Sequence, residues 1–131
     1  MKLVHLADLH IGKRVNEFSL LEDQRYILGQ ILDICAEINP DGIVIAGDVY
    51  DKTIPVAEAV ELLDEFLTDL VRRGIPCWVV SGNHDSAERI AFGSRIMATQ
   101  GVHIAPVFNG TLYSTTISDE FGKVDIYLLP F

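Results

Sequence analysis

Basic residues are scarce. Ten Lys and Arg stand against nineteen Asp and Glu, a net charge of −9. Taken alone, that balance argues against a surface built to contact nucleic-acid phosphates, which needs Lys and Arg. Carboxylates gathered around divalent cations enter the same sum as negative charge. The balance therefore fits both a generic acidic protein and a metal site. Cysteine is nearly absent too. Cys35 and Cys77 lie far apart and form no CxxC, so reduced thiols in a cytoplasm are the simpler reading than a disulfide framework. No apolar run approaches the roughly 18 residues of a membrane-spanning helix. The first ten residues, "MKLVHLADLH", carry an Asp and two His inside the apolar stretch, a poor secretory signal. Internal repeats, linkers and low-complexity segments are lacking as well.

What is present is material for a core. Hydrophobic residues make up 49% of 131, about the size of one domain. "KLVHLA" (2–7), "GIVIA" (42–46), "PCWVV" (76–80) and "VHIAPV" (102–107) read as short strands, with GIVIA buried on both faces because it lacks polar alternation. Between them lie helical patterns. Ser19 and Glu22 form an S-x-x-E capping box before a stripe of Leu21, Ile27, Leu28, Ile31, Ile34 and Cys35 that closes near Asn39-Pro40. Pro55 suits the first turn of a second helix. Its stripe is Val56, Val60, Leu63, Leu67 and Leu70, and Arg72, Arg73 and Gly74 end it. Asp85 and Glu88 are placed to cap a third helix running to about Thr99. Asn109-Gly110 signals a hairpin between "PVF" and "TLYSTTI", and "KVDIYLLPF" is a last strand. The order βαβαβαβ with a β-rich tail predicts an α/β fold on a mostly parallel sheet with right-handed crossovers. Ligands of such sheets gather at the carboxyl ends of the strands.

Three polar corners occupy those ends: Asp8 and His10 after the first strand, Asp48 after the second, Asn83 and His84 after the third. Asp48 lies 38 residues beyond His10 and Asn83 lies 35 beyond Asp48, each about one βα unit. Neighbouring parallel strands bring such corners together. Carboxylate, imidazole and amide donors suit Mn²⁺, Fe²⁺ or Zn²⁺. In D-x-H the alternation of an extended segment points both side chains one way. Asp48 can bridge two ions that clamp a phosphate and activate a water, and Gly47 and Gly82 sit where the backbone turns. Asn83 is then a ligand of the second ion, His84 an acid or transition-state contact for the leaving oxygen, and Asp51 the group that orients its ring. Each motif alone is an ordinary turn or cap; their recurrence at three successive strand ends is what carries weight. Elsewhere the plain readings hold. His5 is a packed core or supporting histidine, His103 and Trp78 are structural, Tyr50 and Arg89 flank the site, and Arg72 and Arg73 mark a helix end.

"DLH" (8–10), "GDVYD" (47–51) and "GNHD" (82–85) resemble the D-x-H, GD-x-x-D and GNH(D/E) signatures of the calcineurin-like metallophosphoesterases. The resemblance is strongest to the bacterial exonuclease subunits of that family and runs nearly end to end, through "LLEDQRYIL", "GDVYDKTIPVAEAVELLDEFL" and "SGNHDSAERIAFGSRI". It implies the N-terminal part of a four-layer αββα sandwich and a dinuclear centre with manganese preferred. Asp8, His10, Asp48 and Asn83 become its ligands, and His84 the catalytic histidine. It also implies hydrolysis of DNA at double-strand ends, single strands and hairpins, a SbcC-type ATPase subunit as partner, and a homodimer. Two further histidine motifs of the family have no counterpart after His103. Residues 1–131 are accordingly expected to be a metallophosphoesterase domain incomplete at its C-terminal side. The alternatives are a phosphoesterase for cyclic nucleotides or phosphoproteins, and a non-catalytic dimerising module.

Overall fold

The computed structural model describes residues 1–131. In chain order the elements are β1 (Leu3–Leu6), β2 (Arg14–Val15), β3 (Phe18–Ser19), α1 (Leu21–Ile38), β4 (Gly42–Ala46) and α2 (Ala57–Arg72). There follow β5 (Cys77–Val80), α3 (Ala87–Ile90), α4 (Ser94–Ala98), β6 (Val102–Ile104), β7 (Tyr113–Asp119) and β8 (Gly122–Leu128). Strands β1, β4, β5 and β6 form one sheet in that spatial order, every pairing parallel. The sheet is the expected α/β scaffold.

Side-chain alternation divides the sheet between two cores. Ile43 and Ile45 of β4 and Cys77 and Val79 of β5 point into the larger core, with Leu28, Leu32 and Cys35 of α1 and Leu62, Phe66 and Leu70 of α2. Val44, Trp78 and Val80 point to the opposite face, where Ala105, Tyr113, Ile117, Ile126 and Leu128 cover them. The β7–β8 hairpin supplies most of that cover. The Trp78 indole N–H donates to Thr115 Oγ1 at 2.7 Å, which satisfies the one polar atom that a buried Trp brings. Residues 1–131 thus build a helix layer, a parallel sheet and a two-stranded antiparallel sheet against the sheet's other face.

Several local expectations are corrected. Ser19 is not the N-cap of α1, although its Oγ accepts the Leu21 N–H at 3.4 Å. It pairs with Arg14 in the β2–β3 ribbon, and the N-cap is Leu20. The helical stripes are rotated. Ile27 and Ile34 are each 51% exposed, while Leu32 takes the inward position; in α2, Ala59, Leu62 and Phe66 go inward and Val56 and Val60 remain exposed. Both helices carry more apolar residues than one face can hold, so spacing alone permits two stripes. Pro55 precedes the N-cap Val56 and so lies outside the first turn. The third helix is two short ones, because Gly93 adopts φ +72° between them. Asn109-Gly110 turns the chain on a connection without joining paired strands. The real hairpin turn is at Glu120-Phe121, where Asp119 Oδ1 accepts the N–H groups of Phe121 and Gly122. His5 is exposed on the edge strand β1 and is not a packed histidine.

Other expectations stand. α1 ends at Asn39 and α2 ends before Gly74. His103 has a structural place, stacked 5.9 Å from Trp78 with its Nδ1 3.1 Å from the Tyr113 hydroxyl. Arg73 is the C-cap of α2, and its guanidinium donates across to the Leu32 carbonyl in α1 at 2.9 Å. Both cysteines are free and buried; burial pushes the Cys77 thiol up to about 12.

Candidate metal centre

The parallel order β1-β4-β5 sets the three strand-end loops side by side. The loop after β1 continues the parallel ladder onto the loop after β4. Asp8 N–H donates to the Gly47 carbonyl at 3.2 Å, and His10 N–H to that of Asp48 and Ile11 N–H to that of Val49 at 2.9 Å each. Within this frame Asp8, His10 and Asp48 offer donor atoms that all lie within 4.8 Å of one another.

The means of convergence differs from strand alternation. Asp8 (φ +55°), His10 (φ +44°) and Asp48 (φ +48°) are all left-handed. Such backbone is uncommon for residues other than glycine and costs on the order of 1–3 kcal/mol at each position. The inter-loop hydrogen bonds hold it in place. Gly47, at φ +86°, shares that need for a left-handed residue. Gly82 has a different reason. A Cβ there would fall inside the contact radius of the Asp48 carboxylate and main-chain nitrogen.

His10 Nε2 lies 3.9 Å from Asp8 Oδ1 and 3.8 Å from Asp48 Oδ2. These separations are too long for hydrogen bonds, yet donors 2.0–2.2 Å from an ion can span them. The Asp48 carboxylate is oriented from behind, since its Oδ1 accepts the main-chain N–H of His84 at 3.0 Å. His10 Nδ1 is buried with no hydrogen-bond partner, and the nearest acid is Asp51 Oδ1 at 3.5 Å. Two carboxylates and an imidazole pressed together without a compensating cation make an arrangement that a divalent ion relieves. The donor set fits such an ion.

Asn83 lines an open cavity with Asp8, Asp48 and Ser81 and a second one with Asp51 and His84, so it stands between the acid pair and the histidine. The His84 ring sits edge-on to that of His10 with centroids 4.9 Å apart. Its Nδ1 is 3.2 Å from the Asp51 carbonyl oxygen. Asp51 therefore meets His84 through its main chain and turns its carboxylate to His10. Tyr50 is buried, and its phenol is pushed up to about 12 by burial first and then by Asp85 and Asp64. It lines a largely apolar cavity with Arg89, Leu63 and Leu67, a packing role.

Asp85 does not cap a helix. Ser86 does, its Oγ accepting Arg89 N–H at 3.3 Å. The buried Asp85 carboxylate instead accepts N–H groups from Val49 at 3.0 Å, Tyr50 at 2.9 Å and Gly82 at 2.8 Å. It ties the second donor loop to the third. Asp85 and Ser86 are equally good N-caps by residue type, so nothing in the sequence singled out Asp85 for this tie between loops.

A family profile described as calcineurin-like phosphoesterase matches residues 1–129. The chain is 40% identical over 132 aligned residues to the SbcD subunit of the SbcCD nuclease of Staphylococcus saprophyticus, covering 100% of this chain and 34% of the relative. It is 41% identical over 134 to the protein of the same name from Staphylococcus epidermidis, again covering 100% and 34%. The chain thus spans about a third of the length of these curated relatives. The profile takes in all three donor loops, and with them the chain belongs to the calcineurin-like phosphoesterase family.

Proposed function

We propose that this chain carries the metal-binding part of a DNA nuclease of the SbcD type, a metal-dependent phosphodiesterase. The observation that supports it is the meeting of Asp8, His10 and Asp48 within 4.8 Å, at the ends of adjacent parallel strands. The names of the two relatives supply the substrate class. Asp8, His10 and Asp48 would hold one divalent ion, and Asp48 and Asn83 would be ligands of a second. Mn²⁺ is the ion we assign, with Fe²⁺ and Zn²⁺ the substitutes that this donor set also accepts. When bound, such ions supply Lewis-acid activation of water and of the phosphoryl group.

The chain's own groups do the rest. The Asp51 carbonyl accepts a hydrogen bond from the His84 Nδ1–H. That leaves Nε2 for the substrate, where a protonated ring donates to the leaving oxygen and the cation is stabilised by the same carbonyl. Asp51 Oδ1, facing His10 Nδ1, keeps the proton on that nitrogen and the Nε2 lone pair toward the acids. The whole protein acts on DNA ends and hairpins in the cytoplasm, with a SbcC-type ATPase as partner and a second copy of itself. No helix is long and apolar enough to cross a membrane.

The test is Mn²⁺-dependent cleavage by the full-length protein and its ATPase, comparing hairpin DNA, blunt duplex, cyclic nucleotide and phosphopeptide. Cleavage of both DNAs, lost in His84→Gln, is expected. Turnover of cyclic nucleotide or phosphopeptide with none on DNA would replace the nuclease reading with another phosphoesterase.

A further inference from the structure

The loop that carries Asp8 and His10 is bonded on one side to the loop after β4. On its other side one side chain makes the hydrogen bonds to its main chain. Gln24, in the first turn of α1, accepts the Gly12 main-chain N–H on Oε1 at 2.9 Å. Its Nε2 donates to the carbonyls of Leu9 at 3.1 Å and His10 at 2.8 Å. One amide thus uses its acceptor and both donors on three main-chain groups of one short loop, and only Asn or Gln can do so. The geometry matters because of what the loop holds. His10 is left-handed and Gly12 is at φ +89°, with Ala59 of α2 so close that a Cβ on Gly12 would be 3.0 Å from it. The loop therefore follows a costly path between two helices. Gln24 is itself placed by its N–H on the Leu20 carbonyl at 2.8 Å and is partly buried.

We infer that Gln24 is a positioning residue of the metal centre, holding the main chain on either side of His10 so that its imidazole stays aimed at Asp8 and Asp48. This rests on the metal-centre reading above. An outer partner of this kind changes metal affinity by 10–100-fold when removed.

The test compares Gln24→Met, similar in length without the amide, and Gln24→Glu, which keeps an acceptor for Gly12 but loses both donors. Arg73→Met is the control, since it deletes a side-chain bond to the Leu32 carbonyl far from the site. Mn²⁺ affinity is read by calorimetry, and Gly12 amide hydrogen exchange by NMR without metal. Both Gln24 variants are expected to bind Mn²⁺ 10–100-fold more weakly. Gln24→Met loses Gly12 protection, and Arg73→Met stays at wild-type affinity whatever its melting temperature. The inference is overturned if Gln24→Met binds within threefold of wild type, or if Arg73→Met loses as much affinity. Wild-type full-length protein that binds no Mn²⁺ overturns the metal-centre reading instead. Gly12 exchange then still decides whether Gln24 holds the loop, and unchanged protection in Gln24→Met overturns that.

Discussion

Asp85 accepts the main-chain N–H of Tyr50 at 2.9 Å across 35 residues of chain. The same carboxylate takes Val49 and Gly82, so one side chain serves as the acceptor for parts of two donor loops. An unsatisfied buried N–H costs about 1–3 kcal/mol. Asp85→Ala leaves three of them and is expected to lose about 3 kcal/mol or more in urea unfolding. Asp85→Asn keeps one oxygen but turns an NH₂ toward a donor, so it falls between alanine and wild type. An alanine variant within about 1 kcal/mol of wild type would show that water replaces the carboxylate.

Asp48→Asn separates ligand from scaffold. Asparagine tolerates the left-handed backbone at φ +48° as well as aspartate does. It also keeps an oxygen for the His84 N–H and removes a negative charge beside Asp8. The metal-free variant is expected to match wild-type stability within about 1 kcal/mol. Its Mn²⁺ affinity in calorimetry should fall by at least the 10–100-fold that loss of an outer partner brings. Unchanged affinity would remove Asp48 from the centre.

Gly82→Ala tests the close approach of the second and third loops. The added methyl collides with the carboxylate and nitrogen of Asp48, main chain that cannot yield without shifting a ligand. Overpacking of this kind costs about 1–3 kcal/mol. A lower unfolding midpoint and weakened Mn²⁺ binding are expected together. Gly29, whose added Cβ meets nothing within 4 Å, is the control: Gly29→Ala in the middle of α1 should stabilise by about 0.5–1 kcal/mol. Gly82→Ala with wild-type midpoint and affinity would mean that the loops sit farther apart.

These contrasts bear on what sequence can carry. The strand ends were legible because β4 and β5 are short apolar runs followed at once by polar turns, and parallel order does the rest. Asp8, His10 and Asp48 could therefore be placed together from residue order alone. The backbone that aims them could not be read: Asp and His enter the left-handed region more readily than most residues, but hydrogen bonds between loops decide which of them do so here. Gln24 and Asp85 were hidden for a related reason: each looks like an ordinary member of a helix start, and only the folded arrangement shows which main-chain groups lack partners. The rotated stripes of α1 and α2 come from surplus. Ile27 and Ile34 are as apolar as Leu28 and Leu32, and packing against the sheet decides between them.

His103 offers a pH test away from the metal site. Burial lowers its pKa below the ordinary value of 6.5, beside Trp78 and the Tyr113 hydroxyl. The unfolded chain therefore takes up a proton at His103 at a higher pH than the folded chain does. Stability from this residue is complete above the unfolded value and is lost as pH falls through it toward the folded value. Urea unfolding at about pH 7.5 and about pH 5 should show a drop that shrinks in His103→Gln. The glutamine keeps a polar group near Tyr113 and cannot titrate. The same drop in both proteins would assign it to carboxylates elsewhere, and a rise in stability on acidification that needs His103 would reverse the sign argued here.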